Sequence, residues 1–475
     1  MNSLSLSVHA HVCLCSDRQE LRRYGKESHW AIIGSLCDHC TWVLIDPLGS
    51  DKYPFIGYTD DLSIHGRELT LLARVSSAFL ASLLLCLCPV VTGASTSGPA
   101  NTLSFRPPDP LNSSAFDHFY NLEYDAAIRD FELVLRKHPD DPFAVNHLLT
   151  AVLFKELYRM GALDTTDYAS DTFIVKPPRP ADPKIKEQIK ELVARATGLE
   201  DKRLQSNPND VDALYARGVT RAQFATYTAL MERAWFSALR NAVGARRDHE
   251  RVLELSPGYT DAKLVVGAHN YVMGSLPWGI KVAVALVRLN GSKERGLKYL
   301  REAAASNGET SVDAKILLAL FLRREHQYPE ALEIVRGLIP QYPHDVLLPL
   351  EEGHLLDSMG NQSEAAAVYR KVWQMGREGH YAGVHYEISA FALGNLLREQ
   401  KDYPGAAAAY EEVSQVKDAD PQILQKADLA AGEMYDLMQK RDLAVKKYEA
   451  VLALNAKTPP AETARKRIKE AYRQD

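Results

Sequence analysis

From residue 111 onward, apolar side chains recur at i, i+3, i+4 and i+7, the spacing of helices that bury one face. The recurrence has a marker: a small residue inside the helix, then an aromatic or apolar residue four positions on and another three beyond that. Tyr328-x-x-Ala331-x-x-x-Val335-x-x-Leu338 is one copy and Gln362-x-x-Ala365-x-x-x-Tyr369-x-x-Val372 follows 34 residues later. Tyr403-x-x-Ala406-x-x-x-Tyr410-x-x-Val413, Arg441-x-x-Ala444-x-x-x-Tyr448-x-x-Val451 and, near the start, Tyr124-x-x-Ala127-x-x-x-Phe131-x-x-Val134 repeat it. A second helical stripe precedes the four later copies and carries its own small residue, at Ala319, Gly353, Gly394 and Gly432. The pattern predicts units of two antiparallel helices. The small residues allow close approach, the aromatic is expected to fill the space between one pair and the next, and Pro139 or Pro343 stops the second helix. A single such unit cannot bury its apolar face, so the units must stack.

A 34-residue helix pair with this order of Gly/Ala, Tyr, Ala, Phe/Tyr and Pro resembles the tetratricopeptide repeat (TPR) family. The match is good over 312–455, fair over 111–157 and degenerate between. The family's Trp near the start of the first helix is missing. The resemblance implies an all-α, right-handed superhelical solenoid with enlarged, irregular middle units, 111–308 being degenerate, 309–456 regular and 457–475 a capping helix. In the middle, Leu157 to Pro183 reads as a long insertion, 184–206 as a helix, and Asp210 to Gly218 as the opening of a first helix. Pro208 to Pro257 spans 49 residues, 15 more than the repeat, or roughly four extra helical turns. Asp261 to Met273 begins another unit, broken at Gly274-Ser-Leu-Pro-Trp-Gly279, and Gly291 to Ala304 resumes with a second helix.

The first ninety residues differ. All six Cys lie there, at positions 13, 15, 37, 40, 86 and 88, and after Met1 the next Met is Met160. Residues 75–94 hold an apolar core, Ala78 to Val91, too short to span a bilayer and suited to the h-region of a signal peptide. Arg67 and Arg74 precede it, and Thr92-Gly93-Ala94 offers small residues before a cut. The expected organisation is an N-terminal extension over 1–68, misassigned or disordered, a signal-like segment over 69–94 and a flexible linker over 95–110. The competing reading is a genuine N-terminal domain joined to a membrane anchor. Residues 1–66 show no sustained helical or strand period, which favours the extension. Cys37-Asp38-His39-Cys40 lacks a second pair at zinc-site spacing, and Leu85-Cys86 resembles a lipobox only loosely.

Composition narrows the function. The 475-residue chain is 46% apolar and 25% charged, which excludes wholesale disorder and a small disulfide scaffold. A net charge of −5 supplies no basic field for a nucleic-acid backbone, so no nucleic-acid partner is expected. Residues 95–475 hold 49 basic and 52 acidic side chains and no Cys, which suits an oxidising compartment. There is no HExxH, P-loop, G-x-S-x-G or dinucleotide fingerprint, so no enzyme, cofactor or metal is expected. His344, Glu351, Glu352 and His354 cluster in sequence, and Glu351 and His354 share a helical face. A metal is imaginable there, but a solvated face is the expected reading.

The concave face of the solenoid is the expected binding surface. The resemblance implies contacts at the second, fifth, ninth and twelfth positions of first helices. Here these include Ile316, Leu320 and Arg323, then Leu350, His354 and Asp357, then Phe391, Asn395 and Arg398. The Lys/Asn clamp for a C-terminal carboxylate is absent, because Phe391 stands one turn before Asn395. Trp278 with Ile280–Leu289 reads as a core helix or, less readily, as a membrane-surface contact flanked by Lys281 and Arg288. Trp235-Phe236 reads as packing. Asn112, Asn290 and Asn361 begin glycosylation sequons, near chance expectation for this length. The expectation is a non-enzymatic, protein-binding scaffold exported to a bacterial periplasm or envelope. Two alternatives stay open: a peripheral membrane-associated assembly factor using Trp278 to Leu289, and a small-ligand binder with a pocket in the middle units.

Overall fold

The computed structural model describes residues 31–32, 44–45, 105–163, 181–275, 291–381 and 383–473. The chain divides into two compact units, Met1–His65 and Gly66–Asp475. In the first, β1 (Ala31–Ile32) pairs antiparallel with β2 (Leu44–Ile45), Ala31 opposite Ile45. The six Cys, the signal-like segment 69–94, residues 164–180 of the insertion, Trp278 and Ile280–Leu289 lie outside the described residues.

The described residues of the second unit form seventeen helices and no strand: eight antiparallel pairs and a cap. The pairs are α1 (Leu111–Tyr120) with α2 (Tyr124–Lys137), α3 (Pro142–Arg159) with α4 (Pro183–Ser206), and α5 (Val211–Leu230) with α6 (Trp235–Leu255). Then come α7 (Ala262–Ser275) with α8 (Lys293–Ala304), α9 (Ser311–Arg324) with α10 (Tyr328–Leu338), and α11 (Leu347–Ser358) with α12 (Gln362–Arg377). α13 (Ile388–Glu399) with α14 (Tyr403–Val413) and α15 (Pro421–Leu437) with α16 (Arg441–Leu454) complete the array, capped by α17 (Pro459–Lys469).

All five second helices read from the repeated marker begin at the residue that opens it: Tyr124, Tyr328, Gln362, Tyr403 and Arg441. One backbone device sets that start. Two residues earlier, Leu122, His326, Gly360, Lys401 and Gln439 adopt positive φ between 59° and 82°. The next N–H then reaches back five residues, as Glu123 to the His118 carbonyl and Lys440 to the Tyr435 carbonyl, both at 2.9 Å. This closes the first helix and reverses the chain.

First and second helices are buried differently. In α2, five of fourteen residues are buried, on one face. In α3, fourteen of eighteen are buried, and in α7 twelve of fourteen, so no open face is left. In α11 and α13 the figure drops to seven of twelve. The burial of the early first helices goes with a curvature that brings the start of the array against its later loops. The Tyr120 ring lies 4.9 Å from that of Tyr342. The His344 N–H donates to Asn121 Oδ1 at 2.9 Å, and the His385 N–H to Tyr158 Oη at 3.0 Å. The Arg106 N–H donates to Glu309 Oε1 at 3.1 Å, while the Arg106 guanidinium pairs with Asp212.

Two expectations need correction here. Phe236 is 82% exposed rather than packed, because it stands at the uncapped first turn of α6. The terminal helix spans Pro459–Lys469 rather than 457–475: Glu470 turns extended (φ −136°, ψ 121°), and the chain leaves the helix line.

Candidate protein-binding face

The last three pairs are each pinned at one point, where a glycine and a tyrosine sixteen apart in sequence meet. A Cβ on Gly353 would lie 2.2 Å from Tyr369 Cε1, on Gly394 2.4 Å from Tyr410 Cε1, and on Gly432 2.5 Å from Tyr448 Cε1. In α5 and α6, each lengthened by about two turns, Gly218 meets His249 instead, 31 residues on, with a Cβ 2.3 Å from the imidazole. The aromatic therefore fills its own pair, over the bare glycine backbone, and not the gap between pairs as the sequence suggested. A ring needs a flat, side-chain-free seat to let two helices touch, and only the partner helix's glycine supplies it. The fold is a tetratricopeptide-like solenoid.

No protein-family model matches the chain, and no curated protein matches it. Solved structures similar to this solenoid include a human IFIT1 dimer with m7Gppp-AAAA, at 14% identity and TM-score 0.37, covering 86% of each chain. Pseudomonas aeruginosa pilF is similar at 15% identity and TM-score 0.31, over 52% of this chain and 98% of its own. Yeast Tom70 is similar at 14% identity and TM-score 0.30, over 76% of this chain and 90% of its own.

The seated tyrosines do a second thing: their hydroxyls reach polar residues on the first helix. Tyr410 Oη donates to Asn395 Oδ1, and Tyr448 Oη donates to Asp436 Oδ2, both at 2.8 Å. The Tyr369 ring lies 5.8 Å from that of His354. Burial, aided at Tyr448 by Asp436, pushes the Tyr410 and Tyr448 hydroxyls well above their ordinary range, so both stay protonated donors.

Along the same face, charged residues bridge successive first helices. Arg323 of α9 pairs with Glu351 of α11 at 2.8 Å, both nearly buried, and His354 Nδ1 lies 3.7 Å from the same carboxylate. Arg398 of α13 pairs with Glu433 of α15 at 3.3 Å. Burial works against the Arg398 charge, but Glu433 and the nearby tyrosines hold its pKa above the ordinary arginine value. Burial likewise raises the Glu433 carboxyl, while Arg398 and Arg467 pull it back down. Phe391 is half-buried, with its ring 5.7 Å from that of Tyr410. Five of the six residues singled out from sequence, Arg323, His354, Phe391, Asn395 and Arg398, thus lie along one strip. The sixth, Trp278, lies outside the described residues.

The strip continues where the sequence reading stopped. The same positions counted from Gly432 are Leu429, Glu433 and Asp436, and the last two carry the densest polar contacts on the face. Asp436 accepts from Arg441 Nη1 at 2.8 Å and 3.0 Å, from Tyr448, and from the Tyr472 N–H at 2.7 Å.

The His344–His354 sequence cluster disperses. Glu351 is buried on the inner face rather than solvated, and Glu352 pairs with Arg336 at 2.7 Å. His344 Nδ1 joins Glu123 Oε1 at 2.6 Å, and His118 approaches the other Glu123 oxygen, so both histidines hold that carboxyl below its ordinary range against its burial. These contacts border a cleft of about 300 Å³ lined by Asn121, Glu123, His344, His380 and Tyr381. That cleft lies where the α1–α2 turn meets later loops, outside the middle units. Among the described residues no group of three or more His, Cys, Asp or Glu is placed to hold a metal, and no helix is long and apolar enough to cross a membrane.

Proposed function

We propose that the chain is a non-enzymatic protein-binding scaffold that takes partners along the first-helix strip of its C-terminal pairs, α11 to α15. The observation that carries this is the change in burial along the array. The first helices α3 and α7 have no open face, whereas α13 leaves Phe391, Asn395 and Arg398 half-exposed, each seated by neighbours. A prearranged strip of one aromatic ring, one amide and one guanidinium suits a protein surface, where aromatic and arginine side chains carry most of the binding energy. The same proposal places the protein in a bacterial periplasm or envelope, supported by the signal-like composition of residues 69–94 and by the lack of Cys beyond Cys88.

Crosslinking in intact cells with a C-terminal tag, read by mass spectrometry, tests both parts. Crosslinks from α11 to α15 to envelope proteins, with N-terminal peptides beginning near Ser95, are expected. Cytosolic partners, together with peptides from residues 1–68, would overturn the localisation. Crosslinks confined to α2, α4 or α6 would overturn the strip.

A further inference from the structure

After α17 the chain does not run off into solvent. It turns extended at Glu470 and lays Tyr472 onto the strip just described. The Tyr472 backbone N–H donates to Asp436 Oδ2 at 2.7 Å. Its hydroxyl accepts from Arg398 Nη2 at 3.1 Å. Its ring is flanked by two guanidiniums, with Arg467 4.6 Å and Arg398 5.7 Å from the centroid. Arg398 and Asp436 occupy twelfth positions of their first helices, the ones that face the groove, so the tail sits where a partner would.

Each contact reads a different property. Asp436 takes a backbone N–H, which any extended segment offers. The paired guanidiniums select an aromatic face, and Arg398 adds a donor for a phenolic oxygen. The Asp436 side chain is also held by Arg441 and Tyr448, neither of which belongs to the tail, so this part of the seat is built from the last helix pair itself. We propose that this seat binds an extended protein segment presenting a tyrosine, and that the chain's own tail fills it through Tyr472 until such a segment displaces it. The proposal rests on the scaffold reading and deepens it. A tethered tail competes at an effective concentration on the order of millimolar, so a partner must bring further contacts along α11 and α13 to win.

The probe is a synthetic peptide of residues 466–473, with binding read by saturation-transfer NMR on the tyrosine ring protons. A chain ending at Glu470, which keeps the helix-closing residue, should saturate the ring at least fivefold more strongly than the full chain. Full-length Tyr472→Ala, which keeps the tail backbone, should do the same and carries the test if the shortened chain fails to fold. Arg398→Ala in the Tyr472→Ala background should abolish the signal. Equal signals from full and shortened chains, or signals indifferent to Arg398, overturn the proposal. So does a dimer in analytical ultracentrifugation that disappears in Tyr472→Ala, because it would assign the seat to a second copy. Peptide failure alongside envelope crosslinks on α11 to α15 would sink this inference and leave the scaffold standing. Peptide binding without protein crosslinks would do the reverse.

Discussion

Replacing Gly353 by alanine sets two effects of opposite sign against each other. Alanine in a helix interior gains about 1 kcal/mol over glycine in propensity. At Gly353 the new Cβ would lie 2.2, 2.6 and 2.9 Å from three carbons of the Tyr369 ring edge, where carbon atoms prefer roughly 3.5–4.0 Å. The ring is 2% exposed and cannot swing out without leaving the core, so α11 and α12 must separate by about an ångström. Overpacking of this sort costs about 1–3 kcal/mol, and the rigid ring argues for the upper end, leaving a net loss of about 1–2 kcal/mol. Gly337 is the control, since it stands on the exposed side of α10 with nothing within 4 Å of a Cβ. Gly337→Ala should stabilise by about 0.5–1 kcal/mol. Hydrogen exchange by mass spectrometry resolves the effect pair by pair, which suits an array whose units need not unfold together. Amides of α11 and α12 should exchange about 5- to 30-fold faster in Gly353→Ala, and those of α10 slower in Gly337→Ala. Slower exchange in both variants would mean that propensity alone decides and that the glycine–tyrosine contact does not set the pair spacing.

The turn device gives a second sign test. Lys401 holds φ 63°, which costs a non-glycine residue about 1–2 kcal/mol, so Lys401→Gly should raise the thermal midpoint by about 0.5–1 kcal/mol equivalent while Gly360→Ala lowers it. Burial, reinforced by neighbouring Asp261, pushes the Glu309 carboxyl to about 8. A raised carboxyl stabilises the fold when protonated, so stability should fall as pH rises from about 4.5 to about 8, and Glu309→Gln should flatten that part of a melting-temperature profile. Arg323→Ala takes the guanidinium away from the buried Glu351 carboxylate and should lower stability by about 3 kcal/mol in urea titration, whereas Arg336→Ala, half-exposed against Glu352, should cost under about 1 kcal/mol.

The helix pairs were legible because their signal is local. Tyr403, Ala406, Tyr410 and Val413 stand on one helix, and Gly394 lies one hairpin away. The four extra turns in the middle were countable from Pro208 to Pro257 for the same reason. The turn residues were not legible, because Leu122, His326, Lys401 and Gln439 are ordinary residues held at positive φ by the reverse hydrogen bond rather than chosen for it. The strip was half legible. Repeat position located Arg323 and Arg398, but that each spans to a carboxylate on the next first helix depends on side-chain reach between units. The seat on Asp436 was in reach of the same counting one unit further on. What hid it was the reading of 457–475 as one capping helix, since nothing local marks Glu470 as a terminus. Contacts such as Asn121 with His344, 223 residues apart, leave no trace in any periodicity.

Those distant contacts change what kind of object the array is. A stack of repeats is normally open-ended: a unit can be duplicated or lost, and only the two flanking junctions notice. Here Arg106 meets Glu309, Asn121 meets His344, and Tyr158 meets His385, so the first two pairs are stitched to the loops before the fifth, sixth and seventh. Inserting or deleting one pair between them would shift every stitch by a whole unit at once. The number of pairs from the first to the sixth is therefore fixed by closure, as the links of a buckled belt are. The last two pairs lie beyond that closure and are tied instead to the tail, through Arg398 and Asp436 at Tyr472.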